Sequence, residues 1–434
     1  MSPLNTQERR KQTIRAGSAS TLGWAMDLHD LMLLLYITPV IAPLFFPAES
    51  PTLELAGAYA AFAVSLVMRP IGSIWFGNYA DKHGRKKAAY WSIGGVGVIT
   101  ALMGLVPTYL MIGMAGTLIF LLLRLAQGVF VGGIVASTHT LGTESVSPKH
   151  RGLMSGIIAG GGAGIGAVLV ALNYMFFTGI LSQESFVLYG WRLMFGTGIL
   201  TSIVSIWLFI KSDESPVWKD EAKPAVTSIA DVPQGSVFSK GLRLTLLMSV
   251  ILVAGGASLY YLTAGFFPSF FEINVGLTPG QASLILIGVN LTVAIFGPIG
   301  GHLSDRFGRK RIFIYLGLAN ALLGPIFYFQ LAGQDSSSVV TVMLLALTMT
   351  ALTAMAQGPV LIFLNERFPT RLRGAGTALS WNIGYAFAGM TPTFVTLLSP
   401  EVSDLTSRAA LLLGVAALLM GLASIFMKED RSLK

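Results

Sequence analysis

Apolar runs long enough to cross roughly 30 Å of hydrocarbon recur along this entire chain. They cover about 22–46, 55–77, 88–106, 114–139, 152–176, 190–211, 242–270, 280–301, 311–331, 338–363, 374–397 and 406–427. In lipid, every backbone N–H and C=O must be satisfied within its own segment, so each run has to be a helix. The chain is therefore read as an all-α polytopic membrane protein of twelve transmembrane helices, numbered here as spans 1–12. Charge agrees with this. Of 434 residues 53% are hydrophobic and only 12% charged, too few charges to cover a soluble fold of this length. The first 16 residues are polar and basic, with no compact apolar core and no small-residue cleavage site, so no removable signal peptide is expected.

One long polar stretch, 212–241, divides the spans into six and six. The expected organisation is an N-terminal six-helix bundle over 1–211, an inter-bundle loop over 212–241 and a C-terminal six-helix bundle over 242–434. Lys and Arg orient them. They cluster at the N-terminus (Arg9, Arg10, Lys11, Arg15), after span 2 (Lys82, Arg85, Lys86, Lys87), after span 4 (Lys149, Arg151), after span 8 (Arg306, Arg309, Lys310, Arg311) and after span 10 (Arg367, Arg371, Arg373). The opposite loops, 47–54, 107–113, 178–189, 271–279, 332–337 and 398–405, contain neither residue. By the positive-inside rule both termini and the 212–241 loop are cytoplasmic, in a multi-pass protein of the plasma or inner membrane. The net charge of +8 sits in these short loop clusters, so no nucleic-acid partner is expected; the partners are lipid, protons and a small solute.

The two halves repeat each other. Gly77-Asn78-Tyr79-Ala80-Asp81-Lys82-His83-Gly84-Arg85-Lys86-Lys87 matches Gly301-His302-Leu303-Ser304-Asp305-Arg306-Phe307-Gly308-Arg309-Lys310-Arg311. Glu144 leads to Pro148, Arg151 and Gly152 as Glu366 leads to Pro369, Arg373 and Gly374. In the first motif glycine permits a tight turn between two spans. The aspartate ends a helix where it can meet a helix N-terminus or a basic side chain of a neighbouring span. Asp81, Arg85, Glu144, Arg151, Asp305, Arg309, Glu366 and Arg373 are expected to form a cytoplasmic latch that holds in one conformation and breaks in another.

The Gly-x-x-x-Asp-x-x-Gly-Arg-Lys loop resembles the signature of the major facilitator superfamily. Within that superfamily the chain is most similar to the metabolite–proton symporters. The likeness runs through Arg69-Pro70-Ile71-Gly72, Pro107-Thr108-Tyr109, Arg124-Leu125-Ala126-Gln127-Gly128, Gly132-Gly133, Gly190-Trp191-Arg192, Glu214-Ser215-Pro216-Val217-Trp218 and Asn382-Ile383-Gly384. The resemblance implies two six-helix bundles around a mid-membrane cavity, with carriage of carboxylates or of zwitterions such as proline and betaine together with protons. Two motifs depart from that group's pattern. Ile134 stands where a glutamate usually follows the paired glycines of span 4, and Leu28 and His29 replace aromatic residues between the acids of span 1.

Charges inside the spans are the most informative residues, because each costs roughly 2.5–3.5 kcal/mol on insertion scales and so tends to face a cavity or a partner. Asp27 and Asp30 lie three apart on one face of span 1 and are the candidate proton sites. Arg124 in span 4, with Gln127 beyond it, presents a planar fork for a substrate carboxylate. The alternative for Arg124 is a structural pair with Asp27 or Asp30, although straight-helix geometry separates Arg124 and Asp30 by about 10 Å in depth. Tyr260, Asn290, Gln357, Asn382 and Tyr385 are further candidates to line the cavity. Arg69 and Arg192 fall near the membrane edges and are read as snorkelling or structural, while Pro39 and Pro43 are expected to bend span 1.

No cysteine is present and five histidines are scattered, so neither a metal site, a cofactor nor a catalytic cluster is expected. The expected function is proton-coupled symport of a small organic anion, a mono- or dicarboxylate, by alternating access. The alternatives are a zwitterion or sugar symporter, or a proton-driven drug exporter, for which the aromatic residues Tyr260, Phe266, Phe267 and Trp381 would suit a greasy cavity.

Overall fold

The computed structural model describes residues 6–83, 85–144, 146, 150–211, 238–239, 241–369 and 372–426. Most of the 212–241 loop lies outside the described residues, as do the side chains of Asp81, Arg85, Glu144 and Arg373.

All regular structure among the described residues is helical. Among the described residues nine helices are long and apolar enough to cross a membrane unaided, and the bent pair of span 1 makes ten. Span 3 is the helix Arg85–Met103. Span 11 is divided into Arg373–Gly389 and Thr391–Leu397, where Pro392 can open a new helix but not continue an old one.

Several helices run well past the apolar runs. Span 1 begins at Thr6 and span 2 extends over Pro51–His83, so residues near the end of an apolar run lie deeper than the run suggests. Span 1 bends by 63° between Tyr36 and Thr38, with Pro39 in the first turn of the second piece. The Thr38 hydroxyl donates to the Leu34 carbonyl at 2.8 Å, satisfying an acceptor at the break. Span 7, its counterpart in the second half, is also broken, into Arg243–Tyr261 and Phe267–Ile273. Gly308 (φ 98°) makes the turn between spans 8 and 9 in a conformation that a side chain would disfavour.

Packing obeys the internal duplication. In the first half span 1 packs on spans 5 and 6, span 2 on span 4, and span 3 on spans 4 and 6. In the second half span 7 packs on spans 11 and 12, span 8 on span 10, and span 9 on spans 10 and 12. The halves meet through span 2 against span 11 and span 5 against span 8. A twofold that carries span 2 onto span 8 carries span 11 onto span 5, so these are one contact made twice. At the second of them Gly160 and Gly297 let the backbones touch, since a Cβ on either would stand 2.8 Å from the Cα of the other. Side chains such as Trp75, Leu110, Leu188 and Leu322 are exposed, as befits a perimeter bathed in lipid.

Candidate functional site

A narrow cavity lies between the halves, lined from spans 1, 2, 5, 7, 8, 10 and 11. Its walls are aromatic: Trp24 on span 1, Tyr260 and Tyr261 on span 7, and Trp381 and Tyr385 on span 11. Trp381 lies 4.2 Å from Tyr385 and 5.9 Å from Trp24 between ring centroids, and Tyr261 lies 6.0 Å from Tyr385. Gln357 donates to the Tyr385 hydroxyl at 2.6 Å. Arg69 is the one charged residue among the described residues lining the cavity.

Much of the polar surface here is unsatisfied. Arg69 Nε and Nη2, the Tyr260 and Tyr261 hydroxyls and Gln357 Oε1 are buried with no hydrogen-bond partner among the described residues. Buried polar atoms are normally paired, so these groups around one hollow have hydrogen-bonding capacity left for a polar ligand or water.

Arg69 also faces Asp27, with 3.9 Å between Nη2 and Oδ2. Asp27 is 4% exposed, and both of its carboxylate oxygens lack a hydrogen bond among the described residues. Asp30, one turn on, accepts from Thr201 at 2.9 Å and lies 3.0 Å from His29 Nδ1. The two acids therefore differ: Asp30 is held, and Asp27 has only a long ion pair.

Arg124 is placed otherwise than as a cavity residue. It is fully buried among spans 2, 3 and 4, donating to Gln127 at 2.6 Å and to the Ala61 carbonyl at 3.3 Å, with Phe62 5.7 Å beneath it. Gln127 in turn donates to Thr100 at 2.8 Å. Neither Arg124 nor Gln127 lines the cavity, and no described ion pair joins Arg124 to Asp27 or Asp30. Asn290 spends its amide on the Tyr36 hydroxyl at 2.6 Å, and Asn382 on its own helix at Ala378. Of the polar candidates, Tyr260, Gln357 and Tyr385 are the ones at the cavity.

Arg69 lies near the end of an apolar run but not at the membrane edge. The helix continues to His83, so Arg69 stands about 20 Å from that end. Its signal was present: an arginine inside an otherwise apolar run of membrane length. Arg192 does sit near an edge, donating to the Gly104 and Val106 carbonyls at 2.8 and 2.9 Å.

The halves also clasp each other above and below the cavity. On the face bearing the basic loops, Asp305 at the end of span 8 accepts the Gly152 and Leu153 amides, at 3.1 and 3.0 Å, from the first turn of span 5. Arg309 donates to Asp305 at 3.0 Å and grips Glu366 with two bonds of 2.5 and 2.6 Å. Arg151 Nε has no hydrogen-bond partner among the described residues. Towards the opposite face Tyr174 on span 5 donates to Glu272 at 2.6 Å, and Tyr59 on span 2 donates to Ser269 at 2.8 Å. Neither hydrogen bond was anticipated, because nothing in the chain pairs residues so far apart in sequence. With cross-half bonds on both sides of the cavity, the structure is an occluded one.

A fold of this kind is shared with known proteins. The structure superimposes on the crystal structure of a D-xylose–proton symporter with a TM-score of 0.74, covering 98% of this chain and 99% of that one at 20% identity. The family model described as Major Facilitator Superfamily matches residues 31–392, with a further match over 255–432. The chain belongs to the major facilitator superfamily. Superfamily membership and the fold make it a multi-pass membrane transporter of the inner or plasma membrane. Among curated superfamily relatives, the inner membrane metabolite transport protein YhjE of Escherichia coli (strain K12) is 29% identical over 84% of this chain and 83% of its own length. The proline/betaine transporter of Salmonella typhimurium is 29% identical over 97% and 85%. The glycine betaine/proline/ectoine/pipecolic acid transporter OusA of Dickeya dadantii is 28% identical over 96% and 83%. Osmolyte carriers thus stand beside a metabolite carrier among the relatives, and the narrower likeness to organic-acid symporters is not singled out.

Proposed function

We propose that this transporter carries a small zwitterion of the betaine or proline type in symport with protons, by alternating access. The observation that carries the proposal is the cavity itself: aromatic faces surrounding Arg69, whose Nε and Nη2 have no hydrogen-bond partner among the described residues. Tryptophan and tyrosine faces attract a desolvated ammonium group, and a guanidinium fork suits a carboxylate. A zwitterion offers both and adds no net charge. The names of the osmolyte-carrying relatives support the same substrate class. A mono- or dicarboxylate would bring net negative charge to an arginine that already faces Asp27 and no cation for the aromatic walls, so the zwitterion is favoured over the organic anion.

In this proposal Asp27 is the coupling acid. When a substrate carboxylate engages Arg69, Asp27 loses its counter-charge and takes up a proton, so that substrate and proton travel together. Asp305, Arg309 and Glu366 latch the basic face, which is the cytoplasmic one by the positive-inside rule. Tyr174 and Glu272 close the other. The two six-helix bundles, 1–211 and 242–434, rock about the site as these bonds exchange.

A panel of glycine betaine, proline, succinate and xylose tests the substrate class, by thermal shift at about pH 5 and about pH 7 and by uptake into proteoliposomes with an imposed proton gradient. Stabilisation and gradient-driven uptake of a zwitterion are expected. A response to succinate alone, or to xylose alone, would sink the proposal.

A further inference from the structure

We infer that the proton and the substrate leave by different routes: the proton passes from Asp27 into a side crevice within the first half, through Asp30 and Thr201. The inference rests on the reading of Asp27 as the coupling acid and deepens it.

Asp27 stands between two hollows. Arg69 links it to the central cavity on one side. On the other, Asp27 itself lines a second, water-sized hollow, together with Gly23, Asp30, Val96, Thr201 and Ser202. This crevice lies among spans 1, 3 and 6 and includes no residue of the second half. It also lies towards the basic face, since Ile93 on its wall is about two turns from Arg85. Both oxygens of Asp27 are buried and without a hydrogen bond among the described residues, so the side chain that meets this hollow has unused capacity.

Thr201 makes Asp30 fit for relay. Its hydroxyl is 2.9 Å from Asp30 Oδ1 and 2.9 Å from the Gly198 carbonyl, and it has one proton to give. When Asp30 is ionised, Thr201 donates to it. When Asp30 is protonated, Thr201 turns its proton to Gly198 and accepts from the acid. Neither state leaves the buried Thr201 hydroxyl unpaired. The transfer balances. The Asp27 carboxylic acid gives its proton to water in the crevice, and Asp30 takes one from that water. Asp30 then releases its proton towards the basic face, and both carboxylates are restored.

The charged and titratable neighbours of the pair are Arg69 on span 2 and His29 on span 1, with Tyr261 on span 7 within electrostatic reach of Asp27. Arg69 is in turn within electrostatic reach of Arg124 on span 4. Spans 3 and 6 present Ile93, Val96, Thr201 and Ser202, none of which titrates.

The experiment uses purified protein in proteoliposomes loaded with a pH-sensitive dye, glycine betaine as the probe, and the variants Thr201→Val, Thr201→Ser and Asp27→Asn. Two rates are read: gradient-driven uptake, which needs net proton movement, and betaine counterflow, which does not. Thr201→Val is expected to slow driven uptake and the dye response about tenfold, the scale of one lost hydrogen bond to a charged group, while counterflow persists and Thr201→Ser restores both. Driven uptake at the wild-type rate in Thr201→Val, with Asp27→Asn uncoupled, overturns the route and leaves Asp27 in place. Equal loss of driven uptake and counterflow in Thr201→Val overturns it too, as a structural defect. Wild-type coupling in Asp27→Asn overturns the reading beneath it and the route together.

Discussion

Arg69 Nη2 on span 2 lies 3.9 Å from Asp27 Oδ2 on span 1, close enough to be an ion pair and too far to be a hydrogen bond. Such a pair is readily broken by a competing carboxylate. Arg69→Ala is expected to weaken glycine betaine binding by about 2–4 kcal/mol, as for truncation of one partner of a buried charge pair. Arg69→Lys should not restore it, because a point charge lacks the fork. Isothermal titration in detergent decides. An unchanged Kd would remove Arg69 from the site.

Arg124 gives the contrasting case. Its removal leaves Gln127 and the Ala61 carbonyl without their donor, at about 1–3 kcal/mol for each buried group. Arg124→Ala should therefore lower the melting temperature markedly while the protein that remains folded binds betaine with ordinary affinity. A stable variant with lost binding would restore Arg124 to the substrate.

Trp381 is the central ring of the cavity wall, lying against both Trp24 and Tyr385. Trp381→Ala is expected to cost about 1–2 kcal/mol in betaine affinity, the range of a desolvated cation–π contact. Trp381→Phe should recover part of it. If both variants bind as wild type does, measured by the same titration, the ammonium is not held there.

Gly152 tests the clasp on the basic face. A Cβ at this position would run into the Asp305 carboxylate, so Gly152→Ala should break the bonds from the Gly152 and Leu153 amides. The cost is about 1–3 kcal/mol against the closed state. Spin labels on cysteine pairs across spans 5 and 8, introduced into a chain that has no native cysteine, would report longer distances on that face. Tyr174→Phe, which takes the donor from Glu272, should lengthen distances on the other face instead. Unaltered distances in both variants would mean that the clasps do not hold the occluded state.

Hydropathy and repetition are properties read along the chain, and they were legible. A run of apolar residues must become a helix because lipid offers the backbone no partner. A motif such as Gly301–Arg311, met twice, imposes a twofold and with it the matched packing of spans 2 on 11 and 5 on 8. Tyr260, Gln357 and Tyr385 could be named as polar groups on apolar helices, and the bend of span 1 falls at Pro39, whereas Pro43 sits inside the helix Thr38–Phe45. The choice of arginine could not be read in this way. Arg69 and Arg124 are both single cations on apolar spans, and which one meets Asp27 depends on the rotation of each helix and on how far it runs beyond its apolar stretch. Folding turned Arg69 towards the cavity and Arg124 towards Gln127, and it brought Tyr174 to Glu272 across 98 residues of sequence. Local composition sets where a helix forms, whereas the direction its side chains face is a compromise among all the helices packed against it.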